Sequence, residues 1–302
     1  MTGTAAAGLC LRSPAAGAVG LLILDERRPD ADFGGHKARR LAPRVRDAAE
    51  ARVPLLTAGG DGSQQVAAAA ALGAVYDVPI GVVTWPQPGS PARAAVRDHL
   101  RRRARWHVEV EEPPQAAAAL AHLAAALGGG AAIVGPGAAA PADLGPSVAL
   151  GAALAHALPA TDAGRPWVLV LPVGSGGTAA AWRAGLDAAG RADVAVLGVR
   201  AVPRRAMGPG RLQRLREALG GPAPAGSPLA APLPSARPAG PGLWLCGPSA
   251  AGAARDGLSA WVDRHGEPPL EAIYEAVAAP WVRSLHAQGH PVIWARTAAP
   301  WP

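Results

Sequence analysis

Short apolar runs alternate along the chain with longer, alanine-rich stretches in which apolar residues recur at helical spacing. The apolar runs predict buried β-strands over Val19–Leu24, Val53–Thr57, Ile80–Val83, His107–Val110, Ala132–Val134, Trp167–Val173, Val194–Val199, Gly242–Leu245 and Val292–Trp294. The periodic stretches predict α-helices over Arg39–Ala51, Ser63–Val75, Pro91–Arg103, Pro114–Ala126, Gly145–Leu158, Thr178–Ala189, Pro209–Leu219 and Leu270–Leu285. This alternation is typical of βαβ crossovers, so the pattern predicts an α/β fold with largely parallel sheets. About nine strands fit two sheets better than one.

The same pattern favours two domains. We expect a smaller α/β domain over residues 40–158, inserted into a larger domain made of residues 1–39 and 159–302. A chain of 302 residues is long enough for one large domain or for two intimately joined ones. Between Gly220 and Gly242 the chain is dominated by proline, alanine and glycine, which predicts an irregular surface loop.

The spacing of the cysteines and histidines and the distribution of charge exclude some classes of protein. Cys10 and Cys246 have no CxxC spacing, and the eight histidines show no metal-binding pairing, so we expect neither a zinc site nor a disulfide framework. The net charge is +7, but arginine is spread along the chain, and the one dense run, Arg101–Arg105, lies beside acidic residues. That run indicates a solvated helix end rather than a nucleic-acid site.

An apolar stretch near the N-terminus, Ala15–Leu24, is too short to span a bilayer and is followed at once by two acidic residues. It therefore favours a buried strand over a signal peptide. We expect a cytoplasmic protein without a membrane or nucleic-acid partner.

Lys37 is the single lysine among the 29 lysine and arginine residues. Arginine can replace lysine in surface ion pairs, but it cannot lose its proton in a protein or condense with an aldehyde. Retention of one lysine in so arginine-rich a chain therefore indicates a site that needs an amine. Phe33, the only phenylalanine, lies four residues earlier. The same stretch therefore contains two residue types that are otherwise absent from this chain.

A glycine-rich segment lies between a predicted strand and a predicted helix. It consists of Gly174, Ser175, Gly176, Gly177 and Thr178. Glycines let backbone N–H groups converge on an anion, and the helix dipole adds positive potential there. The spacing matches neither the dinucleotide motif nor the P-loop, and it lacks the first glycine of the GxSxG elbow of serine hydrolases. The alternative interpretation is a plain tight turn.

A second glycine turn, Gly59–Gly62, also leads from a strand into a helix, with Ser63 as its predicted N-cap. A capped helix explains this segment as well as a ligand site does. In the functional interpretation, the turn directs a hydroxyl and two amide side chains, those of Gln64 and Gln65, toward the carboxyl ends of the strands, where ligands of open α/β sheets bind.

Taken together, these segments resemble one family of enzymes. The sequences Phe-Gly-Gly-x-Lys-Ala-Arg around Lys37, Gly-Gly-x-x-Ser-x-Gln around Ser63 and Gly-Ser-Gly-Gly-Thr at 174–178 are similar to motifs of the D-cysteine desulfhydrase and 1-aminocyclopropane-1-carboxylate (ACC) deaminase group. That group has the tryptophan synthase β-like fold, called fold type II. The stretch Gly135–Gly145 lies where the family has another glycine loop. The resemblance covers residues 20–200 and, more faintly, the C-terminus.

The resemblance implies a pyridoxal 5′-phosphate enzyme that acts on a small amino acid, with the cofactor between the two domains. Lys37 would hold the cofactor as a Schiff base and its freed amine would then move the Cα proton. An unprotonated amine is required, so we expect burial and nearby cations to lower the pKa of Lys37. The segment 174–178 would bind the phosphate. Ser63 would act in catalysis and, with Gln64 and Gln65, would face the substrate carboxylate and the cofactor ring.

At the C-terminus the resemblance assigns a catalytic role to Tyr274 and places Glu275 or Thr297 near the pyridine nitrogen, where either would tune the ring as an electron sink. It also implies a homodimer. Several positions depart from the family pattern. Gln64 stands where the family has asparagine, and the second tyrosine expected for ACC ring opening is missing, since Tyr76 lies in the wrong region and Trp261 has no acidic hydroxyl.

The sequence therefore favours a lyase or deaminase that carries out β-elimination to pyruvate and ammonia, with sulfide as the leaving group if the substrate is D-cysteine. ACC deaminase-type activity is the weaker form of this prediction. Two alternatives remain open: a pyridoxal-phosphate-binding homologue with eroded catalysis, and a protein that binds a phosphorylated metabolite without covalent chemistry.

Overall fold

The computed structural model describes residues 10–13, 20–26, 35–87, 92–159, 165–201, 208–220, 235–247 and 275–297. The strands in these ranges are β1 (Cys10–Arg12), β2 (Leu21–Asp25), β3 (Leu55–Gly60), β4 (Ile80–Trp85), β5 (Trp106–Glu109), β6 (Ala132–Val134), β7 (Trp167–Val173), β8 (Val194–Arg200), β9 (Arg237–Gly240), β10 (Leu243–Cys246) and β11 (Val292–Arg296). The helices are α1 (His36–Ala51), α2 (Gln64–Tyr76), α3 (Arg93–Arg103), α4 (Gln115–Ala126), α5 (Gly145–Ala157), α6 (Gly177–Ala188), α7 (Pro209–Ala218) and α8 (Glu275–Ala287). Two short 3₁₀ turns, Pro136–Ala138 and Pro141–Asp143, precede α5.

The chain divides into two compact units. Unit 1 is built from residues 1–27 and 145–300, and unit 2 from residues 28–144. Each unit contains its own sheet, which confirms the predicted α/β fold with two largely parallel sheets.

Unit 1 has the larger sheet, with the strand order β1-β2-β11-β7-β8-β10-β9. The inner strands are parallel, and β1 and β9 pair antiparallel at the two edges. Successive residues of β7 enter two separate cores: Leu169 and Leu171 pack with α5, α6 and α7, whereas Val168 and Val170 pack with α8. Both faces of the sheet are therefore covered by helices, as parallel strands require.

Unit 2 has an all-parallel sheet in the order β5-β4-β3-β6. Leu55 of β3 packs with α1, α2 and α3, while Leu56 and Ala58 pack with α4 on the opposite face. Because the strands are parallel, their carboxyl ends lie at one edge, and the loops that leave this edge carry Ser63 after β3 and Gly135 after β6.

The domain boundaries differ from the predicted ones. Helix α1 lies wholly within unit 2, and α5, which the sequence placed in the smaller domain, belongs to unit 1. The reason is that α5 packs against α6 at two facing glycines. A Cβ on Gly151 would lie 2.6 Å from the Trp182 carbonyl oxygen, and one on Gly185 would lie 2.1 Å from the Val148 carbonyl oxygen.

Two edge strands depart from the sequence prediction. Arg237–Gly240, predicted as part of an irregular loop, forms β9 and pairs with β10. Pro238 lies in this strand, and an edge position is where a residue without a backbone donor is tolerated. Strand β1 was not predicted at all, because three residues show no readable alternation.

Candidate active site

Ser63 caps the N-terminus of α2, as predicted from the sequence. Its Oγ accepts a hydrogen bond from the Gln65 backbone N–H at 3.2 Å. Gly59 makes this close approach possible, since a Cβ on that residue would lie 2.8 Å from Ser63 Oγ. The cap uses an oxygen lone pair of Ser63 and leaves its hydroxyl hydrogen able to donate.

The Gln65 side chain is held inside unit 2. Its Nε2 donates to Thr57 Oγ1 at 2.7 Å and to the Gly135 carbonyl oxygen at 2.8 Å, and Thr57 Oγ1 donates to the Val134 carbonyl oxygen at 2.9 Å. Since the Thr57 hydroxyl proton is already used, both neighbours of Nε2 act as acceptors, which fixes the orientation of the amide. Gln65 Oε1 is buried without a hydrogen-bond partner and is the atom left for a ligand.

Lys37 is the second residue of α1 and points into unit 2. Its Nζ donates to the Gly137 carbonyl oxygen at 2.8 Å. The residue as a whole is partly exposed, but its amine lies inside the protein. Burial of the amine, followed by the charge of Arg40, lowers the pKa of Lys37 well below its ordinary value. The sequence prediction of a depressed lysine pKa is thereby confirmed.

Arg40 lies one helical turn after Lys37 and shares its acceptor. It is 1% exposed, and its Nη1 lies 3.3 Å from the Gly137 carbonyl oxygen. Gly137 and Ala138 have φ angles of 83° and 43°, a turn conformation that is unusual for alanine. One turn further along the same face of α1, Arg44 Nε lies 3.3 Å from Asp143. The loop after β6 is thus bonded to α1 through its carbonyl oxygens and one carboxylate.

In unit 1, β7 ends at Val173 and α6 begins at Gly177. Gly176 occupies the N-cap position with φ 85°, a left-handed conformation that favours glycine. No side chain caps this helix, and its first turn contains no acidic residue. The turn therefore offers backbone N–H donors and a positive dipole end, which are the features that bind an anionic group.

Thr297 follows β11, the strand next to β7, at the same carboxyl edge of the unit 1 sheet. It is 3% exposed. Glu26 follows β2 on the other side of β11; it is also buried, and its backbone N–H donates to the Arg296 carbonyl oxygen at 3.0 Å. The sequence did not single out Glu26, although its position two residues after the predicted strand Val19–Leu24 marks it as a residue of this edge.

The structure brings together some of the predicted residues. Lys37 and Gln65 both bond the loop 135–137, so the lysine helix and the Ser63 turn meet on the same segment of unit 2. Gln64 is 7% exposed. Tyr274, Trp261 and the side chain of Glu275 lie outside the described residues.

Arg40 and Asp61 are residues of this region to which the sequence analysis gave no role. The available signal for Arg40 was its place three residues after Lys37, at the start of the predicted helix Arg39–Ala51. The available signal for Asp61 was that its carboxylate lies within the glycine turn at the end of a predicted strand.

The described residues contain no group of three or more histidine, cysteine, aspartate or glutamate side chains arranged to hold a metal ion. Among the helices in the same ranges, none is long and apolar enough to cross a membrane.

No family model and no curated protein sequence matches this chain. Solved structures do match it over most of its length. A structure described as an ACC deaminase homologue aligns with a TM-score of 0.69 at 15% identity, covering 92% of this chain and 84% of the other. O-ureido-L-serine synthase aligns with a TM-score of 0.62 at 14% identity, covering 96% and 88%. A pyridoxal 5′-phosphate-dependent aspartate racemase aligns with a TM-score of 0.61 at 12% identity, covering 96% and 89%. The chain therefore has the fold of the tryptophan synthase β-like enzymes, as the sequence predicted.

Proposed function

We propose that this protein is a pyridoxal 5′-phosphate-dependent enzyme that acts on a small amino acid. The observation that carries the proposal is Lys37, the single lysine of the chain, whose buried amine has a pKa well below its ordinary value. Only an unprotonated amine can attack an aldehyde, and a lowered pKa increases the unprotonated fraction above that of an exposed lysine at the same pH. The structural neighbours, one of them described as pyridoxal 5′-phosphate-dependent, support the same class.

Each of the two units, taken by itself, carries a group that fits this cofactor. Lys37 supplies the amine that the cofactor aldehyde requires, and the uncapped start of α6, with Gly176 at its N-cap, supplies donors for a phosphate. Thr297, at the edge next to that turn, is a hydroxyl-bearing residue that could bond a ring nitrogen. Bound pyridoxal phosphate would supply the electron sink for charge that develops at the substrate Cα.

Each of the chain's own groups then has a defined task. The substrate carboxylate would accept hydrogen bonds from the Ser63 hydroxyl and from N–H groups at the start of α2, where the helix dipole also favours an anion. Lys37 Nζ would accept the proton from Cα, because burial and the charge of Arg40 lower its pKa and so favour its neutral form. Gln64 and Gln65 Oε1 would contact the cofactor ring or the substrate.

The reaction that we favour is β-elimination from D-cysteine, in which one water and the amino acid give pyruvate, ammonia and hydrogen sulfide. Loss of the Cα proton and departure of the sulfur with the electron pair of the Cβ–S bond are the two bond changes that the enzyme must promote. The motif resemblance supports this form, and the fold is shared with deaminase, synthase and racemase structures.

One observation disfavours ring opening of a cyclopropane substrate. Tyr76 is the last residue of α2, whereas Ser63 caps its first turn. A helix rises about 1.5 Å per residue, so the two side chains lie at opposite ends of the helix. Tyr76 is therefore too far from Ser63 to serve as a second active-site hydroxyl.

A direct test is a pyruvate assay with the cofactor-loaded protein. The protein is incubated with pyridoxal phosphate until its visible absorption band is constant and is then given small D- and L-amino acids. We expect pyruvate from D-cysteine and none in the same assay of Lys37→Ala. A loaded protein that forms no pyruvate from any of these amino acids would favour the alternative of a cofactor-binding homologue with eroded catalysis, which the replacement of asparagine by Gln64 would explain.

A further inference from the structure

Asp61 is a buried carboxylate in the turn before Ser63. It bonds to the end of β4, to the segment that follows β4 and to the start of α3. It is 4% exposed. Its backbone N–H donates to the Trp85 carbonyl oxygen at 2.9 Å, which extends the pairing of β3 with β4 by one residue. Its Oδ1 accepts from the Gln87 backbone N–H at 2.9 Å, and its Oδ2 accepts from Arg93 Nε at the start of α3.

The turn itself is tightly folded against the strand. The Ser63 N–H donates to the Gly60 carbonyl oxygen at 2.8 Å, which closes the turn around Asp61. Gly60 leaves room for the Gln87 side chain, since a Cβ there would lie 2.4 Å from Gln87 Oε1. Both carboxylate oxygens of Asp61 bond to residues outside the turn, so the aspartate holds in place the segment that ends at Ser63, the N-cap of α2.

We propose that Asp61 is a positioning residue that anchors the Gly60–Ser63 turn to the end of β4 and to α3, and so places the Ser63 hydroxyl and the first N–H groups of α2 for a substrate carboxylate. The proposal rests on the proposed function for the identity of the ligand. The anchoring itself depends only on contacts within unit 2.

The Arg93 contact also has an electrostatic consequence. A buried carboxylate without a cation would repel a substrate carboxylate bound at the neighbouring helix N-terminus. The guanidinium of Arg93 compensates this charge, so Asp61 can be held next to an anion site.

The test compares Asp61→Asn with Asp98→Asn, which changes an exposed aspartate paired with Arg101 elsewhere in the same unit. In Asp61→Asn the side-chain oxygen can still accept from Gln87, but the interaction with Arg93 is lost. Two quantities are measured. The first is hydrogen exchange of the backbone amides in peptides that contain positions 61 and 63. The second is the binding of D- and L-alanine to the cofactor-loaded protein, which is followed through changes in the visible absorption spectrum. Alanine has no β-leaving group and therefore reports binding without elimination.

We expect Asp61→Asn to keep the cofactor's visible band, to weaken alanine binding by about tenfold and to speed exchange in the segment 60–65 by a similar factor, as loss of one charge-assisted hydrogen bond predicts. Asp98→Asn should change neither quantity. Unchanged alanine binding and unchanged exchange in a folded Asp61→Asn protein would overturn the proposal.

If Asp61→Asn does not fold, Arg93→Gln keeps the carboxylate and its Gln87 bond and should weaken alanine binding in the same way; wild-type binding by that variant would equally overturn the proposal. A wild-type protein without a visible band would refute the proposed function, while the exchange measurement would still decide whether Asp61 anchors the turn.

Discussion

The pKa of Lys37 depends on what surrounds its amine. Lys37 shares the Gly137 carbonyl oxygen with Arg40, and the buried guanidinium adds to the effect of burial on the lysine pKa. The solitary lysine marked this residue in the sequence, and the resemblance to pyridoxal-phosphate enzymes implied the direction of its pKa shift. The sequence did not identify Arg40 as the cation, since the predicted helix began at Arg39. Only the observed start of α1 at His36 places Lys37 and Arg40 one turn apart on the same helix.

Replacement of Arg40 should raise the pKa of Lys37. In Arg40→Gln the amide can still donate toward the Gly137 carbonyl oxygen, but the positive charge that disfavours a protonated amine is gone. Burial remains the larger cause, so the pKa should rise without reaching that of an exposed lysine. The pH midpoint of covalent labelling of Lys37 by an amine-reactive reagent measures this value directly.

Arg44→Gln is the matched control, because Arg44 lies on the same helix face but contacts Asp143. We expect it to leave the labelling midpoint nearly unchanged. A midpoint in Arg40→Gln that stays at the wild-type value, or falls, would show that Arg40 does not tune the amine.

At the scale of elements, α5 packs closely against α6, the helix whose first turn would bind the cofactor phosphate. Both helices were predicted from apolar periodicity, with ends within a few residues of those observed. Their packing could not be predicted, because Gly151 and Gly185 are two small residues among many in alanine-rich segments. Only the three-dimensional structure shows that these two allow the backbones to touch.

Gly185→Ala should therefore destabilise the protein. The new methyl group would lie 2.1 Å from the Val148 carbonyl oxygen and 2.7 Å from the Ala152 backbone nitrogen, so the helices must move apart. Overpacking of this kind costs about 1–3 kcal/mol in the free energy of unfolding. Urea denaturation followed by circular dichroism measures the loss.

The control is Gly210→Ala in α7, where the nearest atom to a new Cβ is Arg214 Nη1 at 3.7 Å. That change should be neutral or should stabilise the protein by up to about 1 kcal/mol, because alanine favours helix. Equal stabilities of the two variants would contradict the close packing of α5 and α6.

At the scale of the whole molecule, alternation of strands and helices was sufficient to predict two parallel α/β sheets. The boundary between the two units was displaced, since α5 follows the smaller sheet in sequence but packs with α6. Edge strands such as β9 escaped prediction because their pairing depends on a neighbouring strand rather than on their own composition. The contacts of Asp61 could not be predicted for a similar reason, since its hydrogen-bond partners lie 26 and 32 residues away in the chain.

The central claim is that Lys37 forms a covalent bond with pyridoxal phosphate, and a single lysine makes this claim unusually easy to test. The protein is incubated with the cofactor, reduced with borohydride and digested, and the modified peptide is located by mass spectrometry. The account predicts loss of the visible band on reduction and one reduced cofactor on the peptide that contains Lys37, with neither the band nor the adduct in Lys37→Arg. A protein that shows no band, or a Lys37→Arg variant that keeps the band and its adduct, would contradict it.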